Sequence, residues 1–512
     1  MKHFLATFLL CALWTNVMAQ FILFDRHYEF GTWTAGWSIV NLTDSTYIIV
    51  GSNDSLLPDG DNYNGIAVKI NIYGDTLISK QFVPWDNFDT LLLGPNSDDQ
   101  FKSIVKTDDN NLLAAGLTQS YGATNYYDLD LFLVKLNYNL DTLWTKAISH
   151  PNDTSFRPNQ IIPTSDGGYL IGGWLTSYYT VDVRAFLCKV DSVGNLLWYK
   201  SYSNLYLTST IWNMIETTDH GFLCSGSVFN QQYQGVPILF KVDSIGNFQQ
   251  TVFNFSGMIR SFGANLIATT DSNYVWTSYN PTGINNIYQY RFIKTDATGV
   301  IFWDKSFGLF KDGGPTGVLQ TPDGGYLMCG GNGLVTGGGL MQGILLKLDA
   351  NGDSVWARFY GNPSDYAAFW DIEPCADGGY IMCGETYCCN FTPGVGNTSS
   401  LWLVKTDSLG LLVTGIEEET IFKNSTLSAF PNPTTTYCAF TTTVPQTNHT
   451  GAGKKGASII LFDMRGKQLL EQPLQVGENT VQLSLTNYIA GTYLAVLVID
   501  GYNAARVKVV KQ

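Results

Sequence analysis

The chain repeats one pattern of apolar and polar positions. An apolar stretch ends in a tight turn, and a second apolar strand follows, as in Thr321-Pro322-Asp323-Gly324-Gly325-Tyr326-Leu327-Met328-Cys329-Gly330. The turn Asp falls at Asp44, Asp109, Asp166, Asp219, Asp271, Asp323 and Asp377, at intervals of 52 to 65 residues. A second column closes a further apolar run: Lys69, Lys135, Lys189, Lys241, Lys294, Lys347 and Lys405. Asp-x-x-Gly comes next, from Asp191 to Gly194, Asp243 to Gly246, Asp296 to Gly299, Asp349 to Gly352 and Asp407 to Gly410. Asp first and Gly fourth suit a type I turn. An aromatic-rich run follows, with Trp144, Trp198, Trp303 and Trp356 each nine residues after their Lys. Each period therefore predicts four short strands. In the fourth repeat they are Ile211 to Glu216, Phe222 to Ser227, Ile238 to Val242, and the run that carries Trp elsewhere.

Short antiparallel strands in a period near 50 residues predict an all-β, seven-bladed propeller. One four-stranded blade cannot bury both of its faces, so packing blade on blade must cover the Tyr, Trp and Leu columns. Two stacked β-sandwiches would not hold fixed columns through seven periods. The repeated charges, Asp166, Asp219, Asp323 and Asp377 with Lys189, Lys241, Lys347 and Lys405, read as turn formers or inter-blade hydrogen bonds. Catalysis breaks repeat symmetry, whereas these columns define it. Phe24-Asp25-Arg26 resembles Trp303-Asp304-Lys305, and the seventh repeat carries Thr414 where its Trp is expected. Residues 21–30 are thus expected to supply the outer strand of the last blade and close the ring, leaving no open sheet edge.

The 512 residues allow more than one domain. Residues 1–19 read as a secretory signal, with Lys2, the apolar run Phe4 to Leu13 and the small-residue end Val17-Met18-Ala19. The propeller is expected over 20–416 and a linker over 417–428. Residues 429–512 carry a net charge of +3 although the whole chain carries −14. Their runs at Ile459 to Phe462, Val481 to Leu485, Tyr493 to Ile499 and Arg506 to Val510 predict a small Ig-like β-sandwich. The acidic balance argues against a nucleic-acid partner, and no later segment is long and apolar enough for a spanning helix.

The C-terminal residues resemble the type A sorting domain of the Bacteroidetes type IX secretion system. The matching stretches are Phe430-Pro431-Asn432-Pro433-Thr434, Ile460-Leu461-Phe462-Asp463-Met464-Arg465-Gly466-Lys467, Gly491-Thr492-Tyr493 and Val507-Lys508-Val509-Val510-Lys511. The resemblance implies the type IX machinery as a partner. It also implies passage across the outer membrane, with the cargo released or held at the cell surface. The repeats are similar to propeller repeats common in such cargo, through Lys347-Leu348-Asp349-Ala350-Asn351-Gly352-Asp353-Ser354-Val355-Trp356 and Asp377-Gly378-Gly379-Tyr380. The same run is similar to the blade of quinoprotein propellers, and no quinone cofactor is carried over from that likeness.

Little in the sequence points to catalysis. His3, His27, His150, His220 and His449 have no metal-ligand spacing. No nucleophile elbow or phosphate-binding loop occurs. The acidic loop Pro58 to Asn64 has some calcium-loop character, which makes Asp59 and Asp61 the metal candidates. Asp365 and Asp371 are a carboxylate pair of the kind a glycosidase needs. Cys188, Cys224, Cys329 and Cys383 sit in apolar columns and read as core thiols. Export leaves room for a disulfide among Cys375, Cys388 and Cys389. The expected product is an exported, non-catalytic binding module for a glycan or protein, without a cofactor apart from the calcium candidate. The alternatives are a carbohydrate-active hydrolase or lyase on the same fold, or a structural surface or gliding component. A symmetry-breaking cluster of buried carboxylates in the central channel would favour the enzyme.

Overall fold

The computed structural model describes residues 23–412 and 426–512, apart from positions 32, 43–44, 55–62, 83–98, 120–128, 151–153, 178–182, 203–207, 230–234, 255–262, 283–286, 334–339, 364, 388–398, 445–455, 464–467 and 500–501. Seven antiparallel four-stranded sheets form the blades of a β-propeller. Their inner strands are Thr34–Asn41, Gln100–Lys106, Thr154–Pro163, Thr208–Glu216, Gly263–Ala268, Gly313–Gln320 and Tyr366–Pro374. Each inner strand packs across strands of the preceding blade, and the first packs across the seventh, so the ring is closed. The outer strand of blade 7 is Phe24–Tyr28, which pairs antiparallel with Ser399–Thr406 from Phe24 opposite Lys405 to Tyr28 opposite Leu401. Blades 6 and 7 also touch through one parallel pair, Met341 with Tyr366.

The inner strands share one irregularity. Each shifts register by a residue or more near its middle, as between Gly36 and Ser38, Phe101 and Ser103, Pro158 and Gln160, Ile211 and Asn213, and Phe369 and Asp371. Such a bulge turns the extra residue out of the ladder. Here it also opens room for hydrogen bonds between blades. The Gln160 Oε1 accepts from Met214 N at 2.7 Å, Ser38 Oγ accepts from Ile104 N at 3.4 Å, and Asp371 Oδ2 accepts from Ile39 N at 3.0 Å.

The outer strands explain the Trp column. A Cβ built on Gly194, Gly246, Gly352 or Gly410 would stand within 2.6 to 2.9 Å of Trp144, Trp198, Trp303 or Trp356 in the blade before it. Each indole therefore lies flush on the next blade's turn, and only glycine admits it there. Tyr202 and Tyr360 donate their hydroxyls to the carbonyls of Gly246 and Gly410 at 2.8 and 2.7 Å, pinning the same turns. Cys188, Cys224, Cys329 and Cys383 are all fully buried with free thiols. Cys375 is likewise buried and free rather than bridged, while Cys388 and Cys389 lie outside the described residues.

The C-terminal module is a β-sandwich. Leu427–Phe430, Tyr437–Val444 and Gly477–Ser484 form one sheet, and Gln468–Leu474, Ala457–Asp463, Gly491–Ile499 and Tyr502–Lys511 the other. Leu427, Phe440, Ile459, Leu461, Tyr493 and Val509 are among the residues buried in its core.

Candidate functional site

The two faces of the disc differ. Inner strands end at the Asp turns, and the Asp-x-x-Gly turns lie on that same side because antiparallel strands alternate in direction. All these connections are tight and alike. The connections leaving the opposite face are longer and differ in length from blade to blade; Asp59 and Asp61 lie outside the described residues.

The charge columns stay on the turn face and their ion pairs inside single blades, while Lys135 and Lys294 also stand 5.9 Å from the ring centres of Tyr169 and Tyr326 in the next blade. Lys135 Nζ lies 3.0 Å from Asp109, Lys189 2.9 Å from Asp166, Lys294 2.7 Å from Asp271 and Lys347 2.8 Å from Asp323. Lys241 with Asp219 and Lys405 with Asp377 make the same pair. The ion pairs join the first turn of a blade to the third strand of that blade, so they do not bridge blades. In five of the six a Thr two residues earlier also donates to the Asp, as Thr164 does to Asp166 at 2.6 Å, and Cys375 takes that place before Asp377. Burial pushes the Asp109, Asp166 and Asp323 carboxyls up, but these donors and the lysine together bring them down to about 2. At Asp219 the Lys241 bond is the largest influence, and its pKa also falls to about 2.

The channel breaks the repeat. At the bulge, where the side chain leaves the ladder, the blades carry Trp37, Lys102, Asn159, Trp212, Thr316 and Trp370. These residues line a central cavity of about 890 Å³, together with Trp174, Tyr279, Asp371 and Glu373. Trp37 and Trp370 meet across the joint of blades 7 and 1, with ring centroids 4.9 Å apart. Trp174 and Trp212 meet across the joint of blades 3 and 4, at 5.5 Å. The Trp37 and Trp212 indoles donate to Ser52 and Ser227 at 2.8 and 3.1 Å, which fixes the rings. Lys102 Nζ stands 3.9 Å from the centre of the Trp37 ring, a cation–π contact.

Blade 7 departs furthest from its neighbours. Glu385 occupies the position that Ser52 and Ser227 hold in blades 1 and 4, since Ala368, Ala35 and Thr210 face these three in register. It is 4% exposed. Tyr387 donates to its carboxyl at 3.3 Å, and Trp33 donates to the Tyr387 hydroxyl at 2.9 Å. Burial raises the Glu385 pKa to about 7 against the pull of Tyr387, Lys102 and Trp370. Burial, with repulsion from Asp371, lifts Glu373 to about 8, and Lys106 opposes it. Asp371 is raised to about 6 by burial, although Ile39 N, Ile372 N and Ser38 Oγ donate to it at 2.8 to 3.0 Å.

Asp365 and Asp371, the carboxylates that could in principle serve a glycosidase, do not form a site. Asp365 and Asp371 are six residues apart along one extended segment, which at ~3.3 Å per residue separates them by roughly 20 Å. A glycosidase pair stands at about 5–9.5 Å. Asp371 and Glu373, two apart on one strand, share a face and both line the channel. Sequence reading missed Glu373, Glu385 and the Trp cluster. The available signal was a break in symmetry: a Glu where other repeats carry Ser, Gly, Leu or Trp, and a Trp beside the bulge in some repeats only.

Exposed His220 and Ser165 and half-buried Glu216 also meet on the turn face, with Ser165 Oγ 2.9 Å from His220 Nδ1. Ser165 donates straight to Glu216 at 2.5 Å, and Glu216 approaches the same imidazole nitrogen, so the three make no relay. Among the described residues, no three His, Cys, Asp or Glu side chains gather as metal ligands, and no helix is long and apolar enough to cross a membrane.

Residues 428–512 match the secretion system C-terminal sorting domain. No curated protein matches the chain. Solved structures similar to it include an α-L-arabinanase from Penicillium chrysogenum, 10% identical, covering 60% of this chain and 93% of its own with a TM-score of 0.40. A sialidase from Streptococcus pneumoniae is 11% identical, covers 76% of this chain and 71% of its own, and has a TM-score of 0.38. A puromycin hydrolase is 11% identical, covers 83% and 60% respectively, and has a TM-score of 0.42. The chain is type IX cargo: a repeat propeller that ends in a sorting domain and is directed to the cell surface or beyond.

Proposed function

We propose that the exported propeller is a binding module that takes a carbohydrate in its central channel. The observation that carries this reading is the contrast between the two sets of repeated positions. The Asp–Lys pairs recur from blade to blade on the turn face. The bulge positions change chemistry from blade to blade and bring Trp37, Trp212 and Trp370 into one cavity. Symmetry serves the fold, and its loss serves a ligand that is itself asymmetric. Indole faces suit the C–H faces of sugar rings, and Asn159, Asn265 and Thr316 supply donors and acceptors for hydroxyls. In the channel lining the carboxyls Asp371 and Glu373 are offset by Lys102 and Lys106, which favours a neutral sugar over a strongly charged one.

A second reading rests on Asp371 and Glu373. Two channel carboxyls on one strand face, both raised in pKa, are what a hydrolase on this fold would use. Against it, Asp371 already accepts three hydrogen bonds, two of them from blade 1, and so serves the joint between blades.

One experiment separates the readings. The full chain is titrated with neutral and acidic polysaccharides by calorimetry, and the same mixtures are assayed for new reducing ends. Binding without turnover that falls in Trp370→Ala supports the module. Turnover lost in Glu373→Gln establishes the hydrolase. No binding to any polysaccharide overturns both.

A further inference from the structure

The cavity holds two aromatic platforms rather than one. Trp37 and Trp370 stand at the joint of blades 7 and 1, and Trp174 and Trp212 at the joint of blades 3 and 4. Both pairs line the same cavity of about 890 Å³. In a closed ring of seven blades these joints are nearly opposite each other. Pockets for single small molecules run from about 300 to 1,000 Å³, so this one lies at the large end. Between the platforms the bulge positions carry polar side chains, and Tyr279 adds a further ring to the wall of blade 5. Lys102 and Asn159 lie on one side, Asn265 and Thr316 on the other.

The platforms are not equivalent. Trp212 is held through its N–H by Ser227, and the Trp174 ring leans on it. At the other joint, Lys102 covers one face of Trp37, and Trp33 extends the cluster with its centroid 6.3 Å from Trp37. Trp370 completes that platform, with its indole N–H buried and its pull falling on the Glu385 carboxyl. The Ser that receives this N–H in blades 1 and 4 is replaced by Glu385.

We infer that the channel binds a chain of at least two linked sugar rings, one on the Trp370 platform and another on the Trp174–Trp212 platform. The inference rests on the carbohydrate reading above and adds the size and the two-point mode of the ligand. One ring can meet one platform. A second ring tethered to it meets the other at high effective concentration, so affinity should climb with chain length until both are covered, and then level.

The test uses linear oligomers of glucose, xylose and mannose, from one to six units, titrated into the full chain by calorimetry. For any series that binds, affinity is expected to rise by about tenfold or more between the monomer and the plateau. Trp212→Ala and Trp370→Ala should each bring the hexamer close to monomer affinity, with unchanged melting temperature as the check on folding. If a variant fails to fold, the length series on the unaltered chain still decides. A monosaccharide that binds as tightly as its hexamer overturns the two-platform inference and leaves the carbohydrate reading standing. Loss of hexamer binding in Trp370→Ala but not in Trp212→Ala does the same. A complete series without binding removes the carbohydrate reading itself.

Discussion

Gly410 lies against the face of Trp356, in the blade before it. A Cβ at Gly410 would stand 2.7 Å from Cη2 of the indole, and the residue has a φ of +69°. Two demands meet at one position. The turn needs the left-handed region, which disfavours a Cβ, and the blade joint has no room for one. The Tyr360 hydroxyl also bonds the Gly410 carbonyl at 2.7 Å, so the turn cannot move aside without breaking that bond. Gly410→Ala is expected to destabilise the propeller by about 2–3 kcal/mol, the sum of backbone strain and overpacking. Urea unfolding followed by Trp fluorescence measures it. A loss below ~0.5 kcal/mol, the usual range for a surface change, would refute this account of the Trp–Gly columns.

The six Asp–Lys pairs predict unequal losses. Lys405 is 1% exposed and its partner Asp377 only 18%, whereas Asp166 is 61% exposed beside a buried Lys189. Removing Lys405 leaves a mostly buried carboxylate without its cation. Lys405→Met is therefore expected to cost about 3 kcal/mol. Lys189→Met instead leaves Asp166, 61% exposed and still hydrogen-bonded by Thr164 and Gly168, so about 1 kcal/mol is expected. Equal losses in the two variants would mean that burial does not set the strength of the column. Neither variant should alter polysaccharide binding, because both sites lie on the turn face.

Ring closure depends on a short strand far away in sequence. Asp25 accepts from the fully buried Trp402 indole at 2.6 Å, and Phe24 is 5% exposed in the core between blades 7 and 1. Starting the chain at Gly31 would strip this strand away. It would leave Ser399–Thr406 as an open edge, the kind of edge that recruits other chains. The truncated chain is expected to melt at least ~5 °C lower and to form higher-order species in size-exclusion chromatography. A monomer of unchanged melting temperature would show that the closing strand is dispensable.

Much of this architecture was legible in the sequence because repetition amplifies weak signals. One Asp-Gly-Gly turn means little; Asp323 and Asp377 in the same column as Asp166 mean a blade. The Trp column was visible too, but its partner Gly was seen only as a turn former. The packing of Trp198 on Gly246 joins residues of two blades, and no local pattern encodes it. The pairing of Lys189 with Asp166 was likewise read as two columns and not as one ion pair, since 23 residues separate the partners. The channel was least legible. Trp37, Trp212 and Trp370 sit at a bulge, and a one-residue slip in register sends a side chain to the other face of a strand. Asp365 and Asp371 are neighbours in sequence only, and Glu373 is the carboxylate that shares Asp371's face of the strand.

The charge columns and the channel pull stability in opposite directions with pH. Asp109, Asp166, Asp219 and Asp323 titrate near 2 in the folded chain, below their ordinary value of 3.8. The unfolded chain binds more protons in that range, so their stabilisation is complete above about pH 4 and is lost as pH falls toward 2. Glu385 and Glu373 titrate near 7 and 8, above their ordinary value of 4.5. Here the folded chain binds more protons, so stability declines as pH rises from about 4.5 through 8. The urea midpoint is therefore expected to peak between about pH 4 and 5, and to fall on both sides. Lys102→Met removes the charge that holds Glu385 down, and should push the Glu385 titration to higher pH. Glu373→Gln with Glu385→Gln should flatten the limb above about pH 6, leaving the smaller decline that Asp371, raised to about 6, causes and an unchanged acid limb. A double variant that keeps the full alkaline decline would show that the channel carboxyls titrate normally, and would remove the electrostatic basis of the hydrolase reading.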